Sequence, residues 1–202
     1  MKKIILSLAL IIGLGVMNTN AQVDKKISFG VKTDANLSSH FLSDLDAYKS
    51  KLGFGVSLGG FAKFDFHENF AIQPELLVHY KTSKMETKQG GDEADFEYWG
   101  LEIPVYAVGQ MNLWNGRGYV GIGPYVGLGL NAEMEDVDQY DKVLGKTPMQ
   151  RFDFGAGAMV GYEFKFGLQI NAGYKVGFIN ALDDLDGKML NQTISLGLAY
   201  RF

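Results

Sequence analysis

Thr193-Ile-Ser-Leu-Gly-Leu-Ala-Tyr-Arg-Phe202 decides how the rest of the chain is read. Taken with period two, one face is Ile194, Leu196, Leu198, Tyr200 and Phe202. The other is Thr193, Ser195, Gly197, Ala199 and Arg201. Successive side chains of a strand point to opposite faces, so this is a strand with an apolar side and a small or polar side.

The same alternation recurs upstream in seven further segments: Ile27–Leu37, Gly53–Phe66, Phe70–Lys81, Phe96–Gln110, Tyr119–Asn131, Arg151–Phe164 and Phe166–Phe178. Each is at least as long as the roughly 9–11 residues that a tilted membrane-spanning strand requires. Strands of water-soluble domains cluster near 5–6 residues. The connections alternate as well. His67-Glu68-Asn69, Met111–Gly118 with its Asn115-Gly116 turn, and the neighbourhood of Lys165 are short. Ser38–Leu52, Thr82–Asp95, Ala132–Gln150 and Ile179–Leu190 are long. Short turns at one end and long loops at the other are the mark of an outer-membrane barrel, whose short turns face the periplasm. An even strand count then places both termini on the periplasmic side.

The N-terminus points to the same compartment. Lys2 and Lys3 precede an apolar run from Ile4 to Val16, and Thr19-Asn20-Ala21 offers a small-residue cleavage site. The run falls short of the roughly 20 residues a spanning helix needs. Residues 1–21 are therefore predicted to be a cleaved signal peptide, leaving 22–202 as one barrel domain. Losing Lys2 and Lys3 makes a chain of net charge −4 more acidic still, which argues against a nucleic-acid partner. There is no cysteine, so disulfides, thiolate metal sites and a lipidated cysteine are excluded.

Two barrels satisfy such alternation. In a soluble one the apolar face lines a ligand cavity; in a membrane one it faces lipid. The polar face here is depleted of side chains. Gly55, Gly59, Gly121, Gly123, Gly127, Gly129, Gly155, Gly157, Gly173 and Gly177 share its parity. A water-facing surface has no reason for this, whereas an eight-stranded interior has room only for a limited filling. Phe64, Phe66, Phe70, Phe164, Phe166, Tyr200 and Phe202 crowd the other face near the short turns, as an interfacial girdle would. The expected fold is all-β: an eight-stranded antiparallel up-and-down transmembrane β-barrel with a polar, side-chain-filled lumen. Its surroundings are then outer-membrane lipid.

Several short motifs carry a resemblance. Phe29-Gly-Val-Lys-Thr-Asp-Ala-Asn-Leu37, Gln73-Pro-Glu-Leu-Leu77 and Leu101-Glu-Ile-Pro-Val105 occur in the order seen in PorT-like outer-membrane β-barrel proteins of Bacteroidetes, which the mature chain resembles throughout. The resemblance implies a single barrel domain in the outer membrane, and for some members a link to protein secretion. Thr33-Asp34 departs from the family's preference for small residues there.

Charges of lumen parity are the candidate functional residues: Lys32, Asp34, Lys63, Asp65, Glu75, His79, Glu102, Glu163, Lys175 and Arg201. A buried charge is unfavourable unless paired and hydrogen-bonded, so these are expected to form a network that plugs the barrel. A proton or ion path is the rival reading. Ser38, Ser39 and His40, in the first long loop, are the one catalytic candidate, a hydrolase or acyltransferase site; adjacency in a loop supplies neither a positioned base nor an orienting group. Three histidines without an H-E-x-x-H pattern give no transition-metal site. The acidic clusters Asp92, Glu93 and Asp95, Glu133 to Asp141, and Asp183, Asp184 and Asp186 lack the spacing of a calcium loop. No cofactor is expected. The expected function is non-enzymatic, through the long loops: surface binding, or service to an envelope or secretion assembly with an envelope protein partner. The alternatives are an outer-membrane enzyme and a soluble barrel binding an apolar ligand. Tyr200 and Phe202 are read as the terminal signal for the barrel-assembly machinery.

Overall fold

The computed structural model describes residues 26–43, 48–50, 53–87, 93–134, 137–138, 151–179 and 188–202. Every element there is a strand: β1 (Lys26–Ser43), β2 (Tyr48–Ser50), β3 (Gly53–His67), β4 (Phe70–Thr87), β5 (Glu93–Leu113), β6 (Gly116–Met134), β7 (Val137–Asp138), β8 (Phe152–Phe164), β9 (Leu168–Gly177) and β10 (Lys188–Arg201). The signal peptide at 1–21 lies outside the described residues.

Eight of these strands close on themselves. Each pairs antiparallel with its neighbours in the order β1, β3, β4, β5, β6, β8, β9, β10, and β10 returns to β1. The short β2 and β7 extend β4 and β6 at the loop end. Following paired residues from Ala35 through Leu196, Ala172, Val160, Val120, Gly109 and Phe70 to His67 leads back to β1 near Lys26. That stagger of about ten residues around eight strands makes them tilt by roughly 35–45° to the barrel axis.

The strands outrun the segments read from alternation. β4 reaches Thr87, β5 starts at Glu93, and β10 starts at Lys188. Much of what was expected as long loop is therefore hairpin ladder beyond the apolar band. At the other end the turns are tighter than expected, with Glu68-Asn69 and Trp114-Asn115 as two-residue connections. Gly167 (φ 91°) takes the left-handed conformation that closes the β8–β9 turn.

Parity decides burial as expected. Ile194, Leu196 and Leu198 are exposed while Thr193, Ser195 and Ala199 are buried. The outward face bears aromatic residues at both ends of the apolar band. Phe66 and Phe70 (6.4 Å between centroids), Phe164 and Phe166 (5.4 Å), and Tyr200 and Phe202 (5.7 Å) ring the short-turn end. Tyr80 and Trp99 (4.7 Å) and Phe154 and Phe178 (6.0 Å) ring the loop end. Two aromatic girdles flanking an apolar band match a membrane-spanning barrel.

The lumen is not wholly polar. Phe61, Leu77, Tyr106, Val108, Tyr119 and Met159 are buried inside it. Lumen glycines make room for these rings: the Phe61 ring occupies the space a Gly30 side chain would need, and Tyr119 that of Gly161. Prolines interrupt the ladder on one side. Pairing lapses between Phe61 and Phe64 of β3 opposite Pro74, between Leu77 and Pro74 of β4 opposite Pro104, and between Pro104 and Ala107 of β5 opposite Pro124. Proline has no N–H to give a ladder, so the three gaps step diagonally across adjacent seams.

Candidate functional site: the charged lumen

Inward positions of seven strands bring the charged residues together in two groups. In the middle of the barrel, Lys32 of β1 donates to Glu75 Oε2 of β4 at 3.0 Å and lies 3.8 Å from Asp34. Gln73 Nε2 donates to the other Glu75 oxygen at 2.8 Å. Ser57 Oγ donates to Asp34 Oδ2 at 3.2 Å and accepts from Asn36 Nδ2 at 3.1 Å. Across the lumen, Lys175 of β9 pairs with Glu102 of β5, whose second oxygen lies 3.4 Å from His79 Nε2 of β4.

The second group lies toward the short turns. Glu163 of β8 takes Arg201 of β10 on one oxygen. Its other oxygen accepts from Gln169 Nε2 at 2.8 Å and lies 3.9 Å from Lys63 of β3. Tyr119 donates to Gln169 Oε1 at 3.3 Å, extending the group into the ring layer. Gln110 Nε2 donates to Asp65 Oδ1 at 2.8 Å and to the Glu68 carbonyl at 3.2 Å, tying the lumen to the β3–β4 turn.

Four of the ion pairs brace strands that do not share a ladder. Lys32–Glu75 spans β3, Arg201–Glu163 spans β9, and Lys175–Glu102 and Lys63–Glu163 cross the lumen. Lys63 is 1% exposed, Glu75 2% and Glu163 3%, so water does not screen them. At such burial the ions tolerate one another only because opposite charges lie beside them. Lys63 and Lys175 also lie 5.9 and 6.0 Å from the rings of Tyr119 and Tyr125. The arrangement can hold eight strands at fixed spacing and block passage along the axis.

A third polar group, toward the loop end, was not singled out from the sequence. Asp153 Oδ2 accepts from Tyr125 at 3.1 Å and from Asn191 Nδ2 at 3.0 Å. Lys81 Nζ donates to Thr193 Oγ1 at 3.5 Å and lies 5.7 Å from the Tyr98 ring. Inward parity was the available signal for all of them.

The catalytic candidate changes place. Ser38, Ser39 and His40 lie on β1, paired with Thr193, Gln192 and Asn191, not in a loop. Ser38 Oγ is 3.2 Å from Thr193 Oγ1, so its partner is another hydroxyl. Among the described residues no group of three metal-ligating side chains occurs. Of the acidic clusters, Asp92, Glu135, Asp136, Asp141, Asp183, Asp184 and Asp186 lie outside the described residues.

A closed eight-stranded antiparallel barrel with a charged, filled lumen and an apolar outer wall defines an outer-membrane β-barrel protein. The family model for the outer membrane protein beta-barrel domain matches residues 18–183, and the chain belongs to that family. No curated protein matches it in sequence. Among solved structures it is similar to Neisserial surface protein A (NspA), with 17% identity, 88% of this chain and 100% of that chain covered, and a TM-score of 0.52. It is also similar to Ail, the attachment invasion locus protein of Yersinia pestis, solved with the heparin analogue sucrose octasulfate (15% identity, 88% and 99% covered, TM-score 0.48). A third is the outer membrane enzyme PagL (12% identity, 83% and 98% covered, TM-score 0.45). At these identities the likeness to NspA supports the fold alone.

Proposed function

We propose that this outer-membrane barrel is non-enzymatic and acts by binding, through the segments at its long-loop end, as an accessory to an envelope or secretion assembly of the PorT-like kind. The observation that carries this reading is the plugged lumen. Lys32, Glu75, Glu102, Lys175, Lys63 and Glu163 are buried against one another from wall to wall, leaving these charges committed to bracing. Recognition is then left to the loop end, where β4, β5 and β6 continue past the girdle of Tyr80 and Trp99. Loops on a rigid scaffold commonly carry binding.

In this reading the partners are an envelope protein at the loop end and, during assembly, the barrel-assembly machinery acting on the exposed Tyr200 and Phe202. Both termini are periplasmic. Cross-linking in intact outer membranes followed by co-purification tests the reading. A partner whose cross-links map to 132–150 or 179–190 supports it. Turnover of a lipid or peptide substrate by the refolded barrel would replace it with an enzyme.

A further inference from the structure

One inward position in the middle of the barrel carries no side chain, and two oxygens close over it. Asp34 of β1 pairs with Gly197 of β10, which pairs with Asn171 of β9, so the three share one row across two seams. A methyl carbon added at Gly197 would fall 1.9 Å from Asp34 Oδ1 and 2.8 Å from Asn171 Oδ1. Both side chains are 4% exposed, and neither oxygen has a hydrogen-bond donor among the described residues.

The other atoms of both side chains are engaged. Asp34 Oδ2 accepts from Ser57 and lies beside Lys32. Asn171 also bonds Tyr119, whose hydroxyl proton goes to Gln169. The amide nitrogen therefore serves Tyr119, and Asn171 Oδ1 is left to face Asp34. Two acceptors thus oppose each other in a place nearly closed to solvent, where an unmet acceptor is costly. The charges around them are unbalanced in the same sense. Among the described residues Asp34, Glu75 and Glu102 stand against Lys32 and Lys175, while Lys81 and Asp153 toward the loops offset each other. His79 adds a charge only when protonated, and its Nδ1 then lacks an acceptor among the described residues. The surplus cations at the turn end, Arg117 and Arg201, are only half-buried, so water reaches them.

We propose that Asp34 Oδ1 and Asn171 Oδ1 hold a monovalent cation of sodium's size over Gly197. Oxygen donors suit hard cations, and oxygens sit about 2.3–2.6 Å from calcium, an ion of nearly sodium's radius. Two oxygens flanking such an ion are therefore roughly 5 Å apart or less. Asp34 Oδ1 and Asn171 Oδ1 meet that limit, since they lie 1.9 and 2.8 Å from one common point. A divalent ion gathers several carboxylates, whereas this place offers one free carboxylate oxygen with Lys32 3.8 Å from the other. A water molecule would meet both acceptors and leave the excess negative charge buried, which a cation removes.

The test uses the whole barrel, refolded in vesicles, with sodium chloride exchanged stepwise for N-methylglucamine chloride at constant ionic strength. The urea midpoint should rise with sodium and then level off, and potassium should need a several-fold higher concentration for the same rise. Asp34→Asn, Asn171→Leu and Gly197→Ala, whose methyl takes the place of the ion, should each make the midpoint indifferent to sodium. Gly109→Ala, on the lipid face, should keep the full response. Heat-modified gel migration checks that each variant is folded, and if one fails the other two carry the comparison. A parent midpoint indifferent to sodium overturns the site and leaves a water or a proton between the oxygens. So does a sodium response that survives Gly197→Ala and Asn171→Leu, or an equal response to potassium.

Discussion

Replacing Glu102 with leucine removes the carboxylate that holds Lys175 and faces His79 at 3.4 Å. Lys175 is 6% exposed and has no other carboxylate in its pairings among the described residues, so its ammonium is left buried without a contacting carboxylate. Removing one partner of a buried pair costs about 3–5 kcal/mol, most of it from the charge left behind. Replacing both, as Glu102→Leu with Lys175→Met, removes the stranded ion. The double variant should therefore lie within about 1–2 kcal/mol of the parent, and the coupling between the two sites should be large. Urea unfolding in lipid vesicles, read by the fluorescence of Trp99 and Trp114, measures both quantities. If Glu102→Leu leaves the unfolding free energy unchanged, the lumen pairs are not bracing the strands. If the double variant is as unstable as the single one, the cost is lost packing and not a stranded charge.

Three further outcomes follow from the same geometry. Ile122→Lys places a charge on the lipid face at a 67% exposed position and should lower stability by roughly 2–4 kcal/mol if it lies near the bilayer midplane, measured by the same unfolding assay. Gly161→Val forces a branched side chain into the space of the Tyr119 ring and should destabilise by about 1–3 kcal/mol, with Gly109→Ala, whose added methyl meets only Val120 at 3.8 Å, as the tolerated control. Amide hydrogen exchange should be faster beside the gaps at Pro74, Pro104 and Pro124 than along the unbroken β1–β10 ladder.

Period-two alternation made the barrel legible because an apolar outer face and a polar or glycine inner face are imposed on every spanning strand at once. It failed where that constraint ends. Glu93–Asp95 and Lys188–Asn191 lie beyond the apolar band, so no alternation marks them as strand, yet the β5 and β10 ladders include them. It also missed the apolar layer inside the lumen. Phe61 and Leu77 share parity with Lys63 and Glu75, and a pattern weighted toward charge passes over them. The charged positions were readable one by one from parity. Their partners were not, because Lys32–Glu75 and Lys175–Glu102 depend on the register and closure of strands far apart in the sequence.

The central claim is that this barrel presents its apolar face to lipid, and the chain's lack of cysteine makes that directly measurable. Single cysteines at 193 to 200, spin-labelled in a refolded barrel in vesicles, report accessibility to oxygen, which concentrates in lipid, and to a water-soluble nickel chelate. Positions 194, 196, 198 and 200 should be reached by oxygen and shielded from nickel, with 193, 195, 197 and 199 showing the reverse or no access. Nickel access at the even positions, or loss of the two-residue period, would contradict the account.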